Sequence, residues 1–163
     1  MTTSHHSSDG REDESDKPAI RIVLIEDNKG DIFLTREAFD EIGVPYSLRV
    51  LTDGEKAHHF LHTVAEGRER PVPDLILLDI NLPKLDGHEL LAFIKRHEQL
   101  QHIPVVMFTT SSAEKDVAKA YKNQVNCYIT KPAEAEEFIR VLQEIEQFWS
   151  RICQLPGRGS TSH

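Results

Sequence analysis

Four apolar runs in this chain each end abruptly in charged or hydroxyl-bearing side chains. They are residues 20–28 (I-R-I-V-L-I-E-D-N), 73–83 (P-D-L-I-L-L-D-I-N-L-P), 103–110 (I-P-V-V-M-F-T-T) and 127–132 (C-Y-I-T-K-P). A short run that is apolar on every residue, such as Leu75–Leu78, suits a strand covered on both faces. Between the runs lie stretches whose apolar residues recur at helical spacing. Five such β-α units in succession specify an α/β fold: a five-stranded, doubly wound parallel sheet with helices on both faces. Open sheets of this kind hold ligands at the carboxyl ends of their strands. The pattern therefore predicts one site built from Glu26, Asp27, Asp79, Thr109 and Lys131.

The units follow in order along the chain. A strand at Ile20–Ile25 leads into a helix with Ile32, Phe33, Ala38, Phe39 and Ile42 near a 3.6-residue period, closed by Gly43. A strand at Tyr46–Leu51 precedes a helix over 54–66 that stops at Gly67, and residues 67–73 form a charged, proline-bounded loop. The strand at Leu75–Leu78 is followed by a helix over 87–97, and a fourth strand spans 105–108. The next helix opens on S-S-A-E, where Ser111 and Glu114 match a capping box. A short strand at 127–129 leads into a last helix that begins after Pro132. It carries Phe138, Val141, Leu142, Ile145, Phe148, Trp149 and Ile152 on one stripe.

Length and charge limit what this sheet can do. A chain of 163 residues makes one domain with a proper core. The net charge of −8 argues against nucleic acid, which is bound through basic patches. No run approaches the ~18 apolar residues of a membrane span, and no signal peptide is visible. Two cysteines, Cys127 and Cys153, are too few for a disulfide framework, so a reduced, cytoplasmic setting is expected. Residues 1–18 are polar and charged and are expected to be a disordered arm, with His5 and His6 part of it. The folded domain is expected over 19–153, and the Gly/Ser-rich residues 154–163 as a flexible tail.

Three carboxylates at neighbouring strand ends repel one another, and burial adds a desolvation penalty. A divalent cation reverses that cost, and oxygen-only ligands favour Mg²⁺ over zinc or copper. Glu26, Asp27, Asp79 and the backbone carbonyl of Asn81 form the expected set. An ionised aspartate can attack phosphorus to give an acyl phosphate. Such transfer depends on positioning and charge neutralisation, for which Lys131 and the Thr109 hydroxyl are suited.

On these residues the chain resembles the receiver domains of two-component response regulators. The resemblance covers about residues 19–149, with 30 residues from Asp79 to Thr109 and 52 to Lys131. It implies a flavodoxin-like sheet of strand order 2-1-3-4-5. It also implies Asp79 as phosphoacceptor, Mg²⁺ on Glu26, Asp27, Asp79 and Asn81, Lys131 as the phosphate-binding lysine, and a cis peptide before Pro132. Thr109 would be the switch hydroxyl and Tyr128 the switch aromatic, although Tyr128 equally suits fixed core. A receiver assists its own phosphorylation and dephosphorylation without being a turnover enzyme. The runs L-I-E-D-N-K-G-D-I-F-L-T-R-E-A, L-D-I-N-L-P-K-L-D-G and E-Q-F-W are similar to single-domain receivers that serve phytochrome-type histidine kinases. That subgroup implies such a kinase as partner, docking on the first helix and the loop after strand five, and an unknown downstream protein. Two residues depart from the common pattern: Glu26 stands where Asp is usual, and Thr110 where a small residue is usual.

Blander readings apply elsewhere. His58 and His62 have i, i+4 spacing, but without a further ligand they read as a solvated helix face. Phe148, Trp149 and Ile152 lie past the expected end of the sheet. They suggest a two-fold homodimer through the fourth helix, fifth strand and fifth helix, with a fold-back of the tail as alternative. Two rival functions stay open. An Mg²⁺-dependent phosphatase of the aspartate-nucleophile class would want an acid two residues after Asp79, where Asn81 stands. A pseudo-receiver would keep the fold as an interaction module and take no phosphate.

Overall fold

The structure, a computed structural model, describes residues 19–152, with side chains described through residue 150. The expected arm at 1–18 and tail at 154–163 lie outside the described residues, as does Cys153. Five strands, β1 (Ile20–Ile25), β2 (Tyr46–Leu51), β3 (Leu75–Leu78), β4 (Val105–Thr109) and β5 (Cys127–Thr130), alternate with five helices. These are α1 (Lys29–Ile42), α2 (Gly54–Ala65), α3 (Gly87–Arg96), α4 (Glu114–Lys122) and α5 (Ala135–Gln147), which continues as a π-helical turn over Phe148–Ile152. The sheet is parallel throughout, in the order β2-β1-β3-β4-β5.

Strand residues point alternately to the two faces, so one sequence fills two cores. Val23, Ile25, Ile76, Leu78, Val105 and Met107 pack with Ala57, Leu61, Leu91 and Ile94 from α2 and α3. Ile22, Leu24, Leu75, Leu77, Val106 and Phe108 pack with Ala38, Phe39, Phe138 and Leu142 from α1 and α5. At the rim where the strands begin, Asp74 is fully buried and accepts from the Arg21 backbone N–H at 2.9 Å, while the Asp74 N–H donates to the Arg21 carbonyl at 2.8 Å. This pins β1 to β3 at the end remote from the acids.

Helix boundaries follow local chemistry. Asn28 caps α1, its side chain accepting from the Asp31 N–H, and Gly43 ends that helix at φ 80°. The capping box expected at Ser111 and Glu114 does not form: Ala113 is the N-cap of α4 and makes no side-chain cap bond. Ser111 instead donates its hydroxyl to Asp116 Oδ2 at 2.6 Å, a pairing stronger than a bond to a neutral N–H. A capping box does form at α3, between Asp86 and Glu89. The cis peptide expected before Pro132 is also absent; among the described residues the cis bond is Arg70–Pro71. Trans is the default X–Pro form by about 0.5–1 kcal/mol, and Lys131 keeps the β4–β5 ladder running by donating its N–H to the Thr109 carbonyl at 2.7 Å.

Gly87 sets how closely α3 approaches the end of β3. A Cβ built there would lie 2.2 Å from the Asp79 carbonyl oxygen and 2.7 Å from the Ile80 Cα. Both are backbone atoms that cannot swing aside. Gly87→Ala is therefore expected to lower the unfolding free energy by about 1–3 kcal/mol, read from the urea midpoint at constant slope. An unchanged midpoint would mean that the segment relaxes freely.

Candidate functional site

The carboxyl ends of β1, β3 and β5 bring three acids and one ammonium together. Glu26 follows β1, Asp79 follows β3 and Lys131 follows β5, and all three are buried. Lys131 Nζ donates to Glu26 Oε1 at 2.6 Å, to Asp31 Oδ2 at 2.8 Å and to Asp79 Oδ2 at 3.1 Å. Carboxylate oxygens of Glu26, Asp27 and Asp79 all lie within 4.8 Å of one another. Backbone N–H groups hold the acids in place: Asn28 donates to Glu26 Oε2 at 3.0 Å and Asn81 to Asp79 Oδ1 at 3.3 Å.

The charge balance is uneven. Glu26, Asp27, Asp31 and Asp79 face one ammonium. Burial pushes the Glu26 carboxyl up to about 7, opposed by its hydrogen bond from Lys131 and reinforced by the Asp79 charge. Burial also works against the Lys131 charge, but its hydrogen bonds to Asp31 and Glu26, with the fields of Glu26 and Asp79, outweigh that and hold its pKa above the ordinary lysine value. Excess negative charge on an all-oxygen donor set fits a hard divalent cation. The donors available are Glu26, Asp27 and Asp79, with Asn81 adjoining at the same strand end.

Thr109 ends β4 between these groups, fully buried, and its Oγ1 has no hydrogen-bond partner. Thr110 beside it is exposed. Tyr128 is half-buried against the α2–α3–α4 core and donates its hydroxyl to the Ser111 carbonyl at 2.8 Å. From there a chain continues through Ser111 Oγ and Asp116 to His88, whose Nε2 lies 3.1 Å from Asp116 Oδ1. The bonds from Ser111 and His88 hold the Asp116 carboxyl below its ordinary range. His58 stacks on Phe93 with ring centroids 4.4 Å apart, and His62 pairs with Glu66 at 3.2 Å, as side chains of a helix face.

The sequence pattern located Glu26, Asp27, Asp79, Thr109 and Lys131 at one end of the sheet, and the structure brings them there. It missed Asp31 and His88. Asp31 was visible as an acid in the first turn of the helix that leaves the Glu26–Asp27 pair. His88 was visible as a polar residue on the stripe formed by Leu91 and Ile94, where it is buried on α3. The expected exposed cluster at the C-terminal turn is only partly found. Phe148 is 43% exposed, Trp149 packs against the core, and the side chain of Ile152 lies outside the described residues.

Comparison with known proteins agrees with this architecture. Residues 22–143 match the response regulator receiver domain. The chain belongs to that family. It is 44% identical over 144 residues to the response regulator Rcp1 of Synechocystis sp., covering 88% of this chain and 97% of Rcp1. The Mn²⁺-bound form of Rcp1 superposes with a TM-score of 0.78 at 43% identity, covering 84% of this chain and 99% of that one. The phosphorylated cyanobacterial phytochrome response regulator RcpA superposes with a TM-score of 0.80 at 43% identity, covering 85% and 99%. The probable methanogenesis regulatory protein FilR2 of Methanothrix harundinacea is 42% identical over 144 residues, covering 88% of this chain and 92% of FilR2. The receiver fold, with its 2-1-3-4-5 sheet, is thus shared along most of the chain, and no helix among the described residues is long and apolar enough to cross a membrane.

A divalent cation held by Glu26 would displace any proton on its carboxylate. Mn²⁺ affinity of this receiver is therefore expected to be full above pH 7 and to fall as pH drops through about 7, where Glu26 takes up a proton. Titration by paramagnetic relaxation measures it. A flat affinity between pH 8 and 6 would mean that Glu26 stays ionised.

Proposed function

We propose that this receiver takes a phosphoryl group from the phosphohistidine of a phytochrome-type histidine kinase onto Asp79. The observation that carries the reading is the Asp79 carboxylate held 3.1 Å from the Lys131 ammonium beside two further acids. A carboxylate oxygen of Asp79 attacks phosphorus, the P–N bond to the imidazole breaks, and an acyl phosphate forms. Lys131 pairs with phosphoryl oxygen, and Thr109 Oγ1, unpartnered at rest, donates to another. Mg²⁺ on Glu26, Asp27, Asp79 and the Asn81 carbonyl would neutralise part of the phosphoryl charge. In assisting its own phosphorylation and dephosphorylation the protein acts as a switch, in a cytoplasmic setting.

The choice of kinase is supported by the likeness to the phytochrome response regulator RcpA. FilR2 is nearly as similar overall, so the phytochrome reading rests on RcpA. The kinase would dock on α1 and the loop after β5. For output, Thr109 moving toward the phosphoryl group shifts the β4–α4 loop that Tyr128 grips through Ser111. That redistributes two packings of the α4–β5–α5 face and its affinity for a downstream protein.

Tyr121 on α4 is 51% exposed, and in the turn after α5 the exposed Phe148 meets Trp149 edge-on with centroids 5.1 Å apart. Aromatic anchors of this kind support a two-fold homodimer through α4, β5, α5 and the turn that includes Ile152.

Incubation with acetyl phosphate and Mg²⁺ is expected to give one acid-stable, base-labile phosphoryl group, lost in Asp79→Asn. Labelling retained in that variant would refute the acceptor. Steady multiple-turnover hydrolysis of phosphate esters would point to a phosphatase, and failure to label the wild type to a pseudo-receiver. Separately, Phe148→Asp is expected to raise the dimer dissociation constant at least tenfold in sedimentation equilibrium. A wild-type monomer at high concentration would remove the dimer from the scheme.

A further inference from the structure

We propose that Asp31 is a positioning residue that holds the Lys131 ammonium when a divalent cation takes Glu26 and Asp79. The inference rests on the reading that Glu26, Asp27 and Asp79 bind the cation, and it adds a residue that the reading does not use.

The ammonium has three N–H donors, and all three are engaged, on Glu26, Asp79 and Asp31. Two of those acceptors are expected cation ligands. Asp31 is not among the carboxylates that converge within 4.8 Å. A divalent cation and an ammonium compete for the same oxygens and repel each other across them. The incoming ion therefore loosens Lys131 from Glu26 and Asp79. The side chain of Lys131 is 4% exposed, so the ammonium cannot turn to water instead. An unpaired buried ammonium is strongly unfavourable. Asp31 is the acceptor left to it.

Asp31 is built to stay in place. It lies in the first turn of α1, where the helix N-terminus favours negative charge. Its N–H is fixed by Asn28 Oδ1 at 2.9 Å and its carbonyl by Thr35 Oγ1 at 2.8 Å. Its side chain is 24% exposed, so water reaches the carboxylate beside the lysine. Lys131 thus changes partners without losing all of them, and Asp31 lowers the energy of the cation-bound state relative to the state in which the lysine occupies the site.

The test is a double-mutant cycle on Mn²⁺ affinity, with no phosphodonor present. Asp31→Asn, nearly isosteric, is expected to weaken Mn²⁺ binding on the order of tenfold. Asp31→Glu is expected to restore most of it. In a Lys131→Met background, Asp31→Asn is expected to change affinity less than about twofold, because no ammonium remains to be held. The ¹⁵N resonance of Lys131 Nζ gives an independent readout that does not depend on that background. At saturating Mg²⁺ its protons are expected to stay slow to exchange in the wild type and to become fast in Asp31→Asn. Equal losses in both lysine backgrounds would overturn the inference, showing Asp31 to act as a plain charge or a direct ligand. So would unchanged affinity in Asp31→Asn. A wild type that binds no Mn²⁺ overturns the cation site and this inference together. Binding with intact Asp31 coupling but no phosphorylation of Asp79 sinks the proposed function alone.

Discussion

One buried ammonium organises the functional end of this molecule. Lys131 gathers acids from the end of β1, the end of β3 and the first turn of α1, and its bonds span 105, 52 and 100 residues of sequence. The sheet order makes this reach necessary. β4 lies between β3 and β5, so the lysine stem passes the end of β4, where Thr109 sits. Without a cation the acids would repel one another, and burial, with the Asp79 charge adding to it, pushes the Glu26 carboxyl up even with the lysine present. The site is thus a crowded anionic pocket with a single built-in counterion.

The rest of the fold serves to hold that crowding still. Alternating strand residues feed two cores, so the sheet is clamped between helix layers along its length. The Arg21–Asp74 pairing fixes the register of β1 against β3 at the opposite rim. Gly87 lets α3 begin against the backbone of Asp79 and Ile80. Tyr128, Ser111, Asp116 and His88 tie β5 to the β4–α4 loop, then to α4 and α3. That continuous set of bonds joins the end of β4 and β5 to α4 and α3.

Much of this was legible in the sequence, for identifiable reasons. Strands such as Leu75–Leu78 announce themselves because a two-sided burial leaves no room for a polar residue. The acids, hydroxyl and lysine stood out because each interrupts such a run. What escaped notice depended on tertiary pairing. Ser111 looked like a cap until Asp116 claimed its hydroxyl. Lys131 precedes a proline, but nothing local dictates the isomer of that bond, and it is trans. Trp149 continued an apolar stripe past the sheet, yet the turn at Phe148–Ile152 brings it back against the core. Asp31 belongs to the site only because a residue 100 positions away reaches it, a convergence no spacing rule encodes.

The solitary hydroxyl of Thr109 leaves one hydrogen bond to be made at the end of β4. A buried polar group without a partner is disfavoured by about 1–3 kcal/mol, and Thr109 Oγ1 is such a group. An acceptor oxygen brought to the strand ends would find that donor already in place. The hydroxyl thus stands as a spare donor at the centre of the acid cluster, walled off from solvent by its own strand.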